Sequence, residues 1–261
     1  MSDSESKGVA LVTGAAQGIG RGIALRLAAD GFTVAVNDVS SNSPNLDTLV
    51  AEITRFGRKS SAHVADVSEA EQVEAMVAAV VAEHGGLDVM VANAGIAGPW
   101  RTLLVELSAD EWDKVMNVNA RGTFLCYKYA GLQMIKQGRG GRIIGAASIA
   151  AKKAIPAQGV YSASKFAVRG LTQAAAQEFG PHGVTVNAFA PGAVDTSMLV
   201  GGPTASPAQA ADILDKMKKA TPLNMVGTPE DIANLVSFLA SKESGFITGQ
   251  SISINGGMFF D

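Results

Sequence analysis

Short apolar runs alternate with longer amphipathic stretches from one end of the 261-residue chain to the other. The runs at 8–13, 33–37, 61–64, 87–92, 142–147, 184–189 and 251–254 read as strands, and those at 8–13, 33–37, 87–92 and 142–147 place Val, Ile, Leu, Met and Ala on consecutive positions. Consecutive rather than alternating apolar residues predict strands buried on both faces. Between them, apolar positions at helical spacing predict helices at 19–30, 45–57, 69–84, 109–137, 160–180 and 229–240. Strand–helix alternation of this kind predicts an α/β protein with a parallel, doubly wound sheet of the Rossmann type. No repeat, low-complexity tract or linker interrupts the rhythm, so residues 1–261 are expected to form a single domain.

One stretch is longer than the connections around it. Between the strand at 184–189 and the helix at 229–240 lies an excursion, 191–226, that contains the segment GGPTASP and an amphipathic piece at 208–220. Open α/β sheets bind ligands beyond the carboxyl ends of their strands, which makes this excursion the expected substrate lid. An ordinary surface loop is the alternative.

The first strand, GVALVT, runs directly into GAAQGIG and then a helical pattern. Gly14, Gly18 and Gly20 let a backbone turn tightly and approach a pyrophosphate, and the helix that follows aims free N–H groups at that anion. The spacing G-x-x-x-G-x-G differs from the general dinucleotide pattern, and no Lys-Ser/Thr follows as in a Walker loop. The second strand ends at Asp38, twenty residues after Gly18. A carboxylate there can accept hydrogen bonds from both adenosine ribose hydroxyls and repels a 2′-phosphate, so NAD(H) is expected over NADP(H). Arg21 is the cation nearest the turn in sequence, and the NADP(H) alternative would rest on it.

Ser148 closes the fifth apolar run, Tyr161 follows thirteen residues later, and Lys165 lies four beyond Tyr161. Positions i and i+4 share a helix face, so Tyr161 and Lys165 project together. A phenol with a pKa of about 10 is a poor base, but a neighbouring ammonium and an oxidised nicotinamide both favour its phenolate. Tyr161 can then take the proton of an alcohol as hydride leaves, or protonate a ketone oxygen in reverse. Ser148 would hold the same oxygen by hydrogen bond. Taken alone, Tyr-x-x-x-Lys is common; the upstream Ser148 and the glycine turn give it weight.

Together these residues resemble the short-chain dehydrogenase/reductase family over essentially the whole chain. The matching segments are Thr13–Gly20, Asp66-Val67, Asn93-Ala94-Gly95, Asn119, Ser148, Tyr161–Lys165 and Pro191-Gly192. Within the family, residues 161–173 and 248–258 resemble acetoin and butanediol dehydrogenases. The resemblance implies a seven-stranded sheet in the order 3-2-1-4-5-6-7 and a homotetramer. It implies cofactor contacts from Gly14, Gln17, Gly18, Ile19, Gly20 and Asp38, and an adenine contact from Asp66 beside Val67. It places Asn93 and Gly95 along the adenosine side, and Pro191, Gly192, Val194 and Thr196 near the nicotinamide, with Thr196 at its carboxamide. Lys165 would also grip the nicotinamide ribose. Asn119, rather than Asn117, would hold a water that links Lys165 to solvent. The resemblance implies a small vicinal hydroxyketone as substrate; the small, apolar segment Met198-Leu199-Val200-Gly201-Gly202-Pro203 departs from it, and Trp100, Ile149, Ile155, Met198 and Leu199 would instead suit a larger apolar secondary alcohol.

Bulk properties narrow the classes. Hydrophobic residues make up 47% of the chain and charged residues 17%, enough for a large core and unlike a disordered chain. A net charge of −3 gives no case for nucleic acid or anionic lipid. No apolar run reaches the roughly 18 residues of a membrane span. The polar leader MSDSESK and the one cysteine, Cys126, fit a cytoplasmic protein. His63, His84 and His182 are scattered without ligand spacing, so no metal is expected. Trp112 is expected in the core or at a subunit contact. The rival class is a non-catalytic dinucleotide-sensing protein on the same fold, which would have no need of Ser148, Tyr161 and Lys165 together.

Overall fold

The computed structural model describes residues 6–99, 102–201 and 205–260. Trp100, Gly202 and Pro203 therefore lie outside the described residues. Seven strands form one sheet in the order β3-β2-β1-β4-β5-β6-β7: β1 (Val9–Thr13), β2 (Thr33–Asp38), β3 (Ser60–Val64), β4 (Val89–Ala92), β5 (Gly141–Ala146), β6 (Val184–Pro191) and β7 (Ser251–Ile254). Every pairing is parallel.

The continuous apolar runs have a direct cause. Successive side chains of a strand point to opposite faces. Ala10, Val12, Val34 and Val36 meet the layer containing Ile23 and Leu27 of α1 (Gly18–Asp30), Leu46 and Leu49 of α2 (Ser43–Arg55) and Val236 of a C-terminal helix. Their neighbours Val9, Leu11 and Ala35 meet Val73 and Val77 of α3 (Ala70–His84) and Leu125 and Ala130 further along the chain. Both faces of β1 are fully covered, and only apolar residues satisfy that.

The long helix expected at 109–137 is divided. α4 (Ala109–Met116) begins at a capping box of Ser108 and Glu111, and a π-helical turn, Asn117–Arg121, joins it to α5 (Gly122–Gln137). Periodicity misses this turn because apolar spacing hardly changes across one inserted residue; such turns cluster at functional sites. Trp112 on α4 is 38% exposed, which removes the core alternative for it. α6 (Gly159–Phe179) follows β5, and β6 leads into the excursion.

The excursion holds a full helix, α7 (Pro207–Lys219), before α8 (Pro229–Ala240). Ser206 and Gln209 cap α7 reciprocally, Pro207 opens it, and Lys216, Lys218 and Lys219 sit in its last turn. None of its residues is buried. Local capping and charge, rather than packing, sustain this helix. The base of the excursion is closed by a parallel bridge between Val194 and Gly227, with Asp195 N–H donating to Gly227 O at 2.8 Å. No described helix is long and apolar enough to cross a membrane.

Candidate active site

The switch in strand order lies between β1 and β4, where the chain leaves β1 toward β2 on one side and enters β4 on the other. A crevice opens there at the carboxyl ends. Gly14 and Gly18 adopt left-handed backbone (φ +62° and +54°), which side chains disfavour. A Cβ at Gly20 would lie 2.2 Å from Gly14 O and 2.5 Å from Asn93 Nδ2. The N-terminus of α1 has no side-chain cap and no acidic residue in its first turn, unlike α4 and α8. Its free N–H groups are thus left for an external anion, and the tight glycine turn fits a pyrophosphate.

Thr13 and Asn93 lock this turn to β4. Thr13 Oγ1 accepts from the N–H groups of Asn93 and Ala94, and Asn93 Nδ2 donates to the carbonyls of Thr13 (2.9 Å) and Gly14 (3.1 Å). Asn93 therefore acts directly on the turn. Thr196 arrives from beyond β6, its methyl 3.5 Å from where a Gly18 Cβ would stand. Pro191 pairs with Ile254, Gly192 N–H donates to Ile254 O, and a Gly192 Cβ would lie 2.7 Å from Asn255 Cβ, which holds this strand end tightly.

Asp38 stands at the end of β2 with its carboxylate drawn to the turn. Its Oδ2 accepts from Ala16 N–H (3.1 Å), while Oδ1 accepts from Val39 N–H (2.9 Å) and Asn42 Nδ2 (2.8 Å). Arg21 pairs with Glu52 instead of facing Asp38. Asp66 Oδ1 accepts from Ser68 N–H and Oγ, ordering the turn that carries buried Val67.

The catalytic candidates converge from three elements. Ser148 follows β5 and accepts from Ala150 N–H at 3.1 Å, which leaves the serine proton to donate elsewhere. The Ser148 hydroxyl is close enough to the Tyr161 phenol to oppose the rise in its pKa. Lys165, 4% exposed, donates from Nζ to Ala146 O at 2.8 Å and lies 5.5 Å from the centre of the Tyr161 ring. Asn119, inside the π-turn, clamps one residue of the loop after β4: Oδ1 accepts from Ile96 N–H (2.8 Å) and Nδ2 donates to Ile96 O (2.9 Å). The same Nδ2 also donates to Ser164 Oγ, which donates to Tyr161 O. A Cβ on Gly95 would stand 3.2 Å from Asn119 Oδ1 and 3.4 Å from Lys165 Nζ, so Gly95, Asn119 and Lys165 share one spot. Asn117 is exposed outside this cluster.

Burial governs the charges. It pushes the Tyr161 phenol above its ordinary value, with the Ser148 hydroxyl opposing, and pushes Lys165 down to about 8. Desolvation disfavours the charged form of both groups and so opposes the pull of a Lys165 ammonium toward the phenolate.

An enoyl-(acyl carrier protein) reductase family profile matches residues 14–259. A short-chain dehydrogenase/reductase of Armillaria gallica is 53% identical over 261 residues, covering 100% of this chain and 99% of that one. The chain belongs to the short-chain dehydrogenase/reductase family. A second member, eriH of Hericium erinaceus, is 50% identical over 97% of this chain and 98% of its own. The 3-oxoacyl-(acyl-carrier-protein) reductase FabG of Staphylococcus aureus is 43% identical over 96% of this chain and 97% of its own. Among solved structures, a dehydrogenase/reductase from Sinorhizobium meliloti matches with TM-score 0.87 and 37% identity, covering 98% of this chain and 96% of that one. This short-chain dehydrogenase/reductase is thus an oxidoreductase of the nicotinamide-dependent kind.

The sequence alone did not assign roles to Thr13, Ser164 or the Ala146 carbonyl, which hold the turn, the π-turn and the lysine. Ser164 stood within the recognisable Tyr161–Lys165 segment, but its bond to Asn119 crosses 45 residues. The view of the histidines as scattered is corrected. The fold brings His63, His84 and Glu83 together at the far edge of the sheet, because β3 and the end of α3 meet there.

Proposed function

We propose that this protein transfers hydride between NAD(H) and a secondary alcohol or its ketone, with Ser148, Tyr161, Lys165 and Asn119 as its machinery. The observation that carries this reading is Lys165, buried beside the Tyr161 ring and tied through Nζ to Ala146 O, two residues before Ser148. Gly14–Gly20 would cradle the pyrophosphate, Asp38 the adenosine ribose, and Gly192, Val194 and Thr196 the nicotinamide end. When bound, the nicotinamide supplies or accepts hydride, and its oxidised form adds positive charge.

The chain's own residues do the rest. Ser148, its acceptor face taken by Ala150 N–H, donates its proton to the substrate oxygen. Tyr161, kept neutral by burial, is the acid for ketone reduction and must lose its proton first for alcohol oxidation. Lys165, oriented by Ala146 O, favours the phenolate when protonated. Asn119 fixes the Ile96 loop against Lys165, where a water relay would begin.

The NAD(H) preference is supported by Asp38 at the ribose position and by the pairing of Arg21 with Glu52, which leaves that cation engaged. The substrate is read as a larger apolar secondary alcohol. Half-buried Ile149 follows Ser148 directly, half-buried Ile155 donates its N–H to Ser162 Oγ next to Tyr161, and Met198 is 41% exposed at the start of the excursion. The excursion 191–226 would act as the lid. Exposed Phe124 and Leu132 on α5 and Phe166 on α6 support a homotetramer that covers them. A screen of alcohols and ketones against both cofactors, read by reduced-nicotinamide absorbance, tests the function. Faster turnover with NADPH, or no turnover of any secondary alcohol or ketone, would overturn it.

A further inference from the structure

A second cluster lies on the outer edge strand, separated from β4 by β2 and β1. Ser61 and His63 are two apart on β3 and so face the same side. His84 is the last residue of α3, which Gly85 ends in left-handed backbone. Both imidazoles turn Nε2 toward one hydroxyl: Ser61 Oγ lies 2.8 Å from His63 Nε2 and 2.7 Å from His84 Nε2. Glu83 joins them, with its two oxygens 3.9 Å and 3.7 Å from these same nitrogens. Those separations are too long for hydrogen bonds, so the carboxylate is committed to neither ring.

We propose that His63, Glu83 and His84 bind one divalent ion of the zinc class on this edge of the sheet. The donor set is two imidazole nitrogens and a carboxylate oxygen, all within 4.8 Å of one another. Zinc bonds of about 2.0–2.2 Å at tetrahedral angles need donors about 3.3 Å apart, and the half-exposed Glu83 side chain can close its 3.9 Å and 3.7 Å separations from the two rings by changing rotamer. The two rings are already held, with side-chain exposures of 11% and 7%, so the ordering entropy for them is largely lost on folding. Ser61 has a single proton, so one ring accepts from it and the other donates to it. On metal binding the donating ring moves its proton from Nε2 to Nδ1 and stays neutral. Three protein ligands leave a fourth position, which opens on a cleft of about 490 Å³ lined by Arg58, Lys59 and Glu83 among others. Arg58 and Lys59 oppose a cation, but in an open, watered cleft that repulsion is screened. The ion would tie β3 to the end of α3, away from the Ser148–Tyr161 half of the sheet.

The chain has three histidines, and His182, in a turn before β6, is an internal control. Zinc alone is titrated into the untagged, metal-free full chain, followed by calorimetry and by NMR of the imidazole resonances. The expected result is one zinc per chain, with two imidazoles shifting together and the third unmoved. His84→Gln and Glu83→Gln should each weaken binding at least roughly tenfold, since loss even of an outer-sphere partner has that effect. A shift led by the third imidazole, no saturable shift at all, or unchanged affinity in a folded His84→Gln protein overturns the proposal. If His84→Gln does not fold, the wild-type imidazole pattern alone decides between the ion site and a plain His–Ser–His hydrogen-bonded trio. Turnover does not enter the readout, so this test stands apart from that of the hydride-transfer reading.

Discussion

Lys165 donates from Nζ to the carbonyl oxygen of Ala146, two residues before Ser148, at 2.8 Å. One hydrogen bond thus ties the lysine of α6 to the strand end that carries the serine. Burial lowers the Lys165 pKa from 10.5 to about 8 in the folded protein. Between those values the unfolded chain binds more protons, so stability rises with pH through that window, and below about 8 the full penalty is present. Lys165→Met removes this dependence. Chemical denaturation at several pH values should show wild type gaining up to about 3 kcal/mol on the variant between pH 7 and 10.5. A constant difference would show that the lysine is not desolvated as described.

Gly20 and Gly18 should respond differently to alanine. At Gly20 the methyl would meet Gly14 O at 2.2 Å, backbone that cannot yield without opening the turn. Gly20→Ala should lower the melting temperature and weaken NADH binding by tenfold or more. Gly18→Ala has room, with its nearest neighbour 3.5 Å away, and its penalty is the left-handed backbone, about 1–2 kcal/mol. Fluorescence titration of NADH beside thermal melts would check the order. Equal binding losses in the two variants would contradict this account of the turn.

Asp38 also serves two purposes, ordering Ala16 N–H and presenting negative charge at the end of β2. Asp38→Ala should narrow the kcat/KM ratio of NADH to NADPH by tenfold or more, chiefly by weakening NADH. Steady-state kinetics with both cofactors measures this directly. An unchanged ratio would mean that the carboxylate works only on the turn.

Much of this is legible in the sequence. Both faces of the sheet are covered, so strands such as β1 announce themselves as unbroken apolar runs, and helical periodicity fixed most helices within a few residues. Ser148, Tyr161 and Lys165 were legible because an i, i+4 pair on one helix is a local relation. The rest is non-local. The π-turn around Asn119 depends on its clamp onto Ile96, 23 residues away, and leaves apolar spacing almost intact. His63 and His84 gave no ligand spacing because a strand edge and a helix end, not a short loop, bring them together.

The excursion after β6 is held at its base by the Val194–Gly227 bridge, while α7 contributes no buried residue. A helix so weakly packed can move as a unit on that base. Met198→Ala and Leu199→Ala should change KM several-fold and reorder the ranking of alcohol substrates, with the NADH dissociation constant within a few-fold of wild type. Unchanged ranking would remove the excursion from substrate choice.

The central claim is that Tyr161 moves the proton that accompanies hydride transfer. Tyr161 is half-buried, desolvation keeps its phenol above its ordinary pKa with Ser148 opposing, and Lys165 lies beside the ring. Tyr161→Phe keeps the ring and removes only the hydroxyl. The decisive measurement is kcat for a ketone with the folded Tyr161→Phe protein, alongside its NADH dissociation constant. The account predicts a fall in kcat of roughly 10²-fold or more with NADH binding within a few-fold of wild type. Retention of most of the wild-type kcat by that folded protein would contradict it.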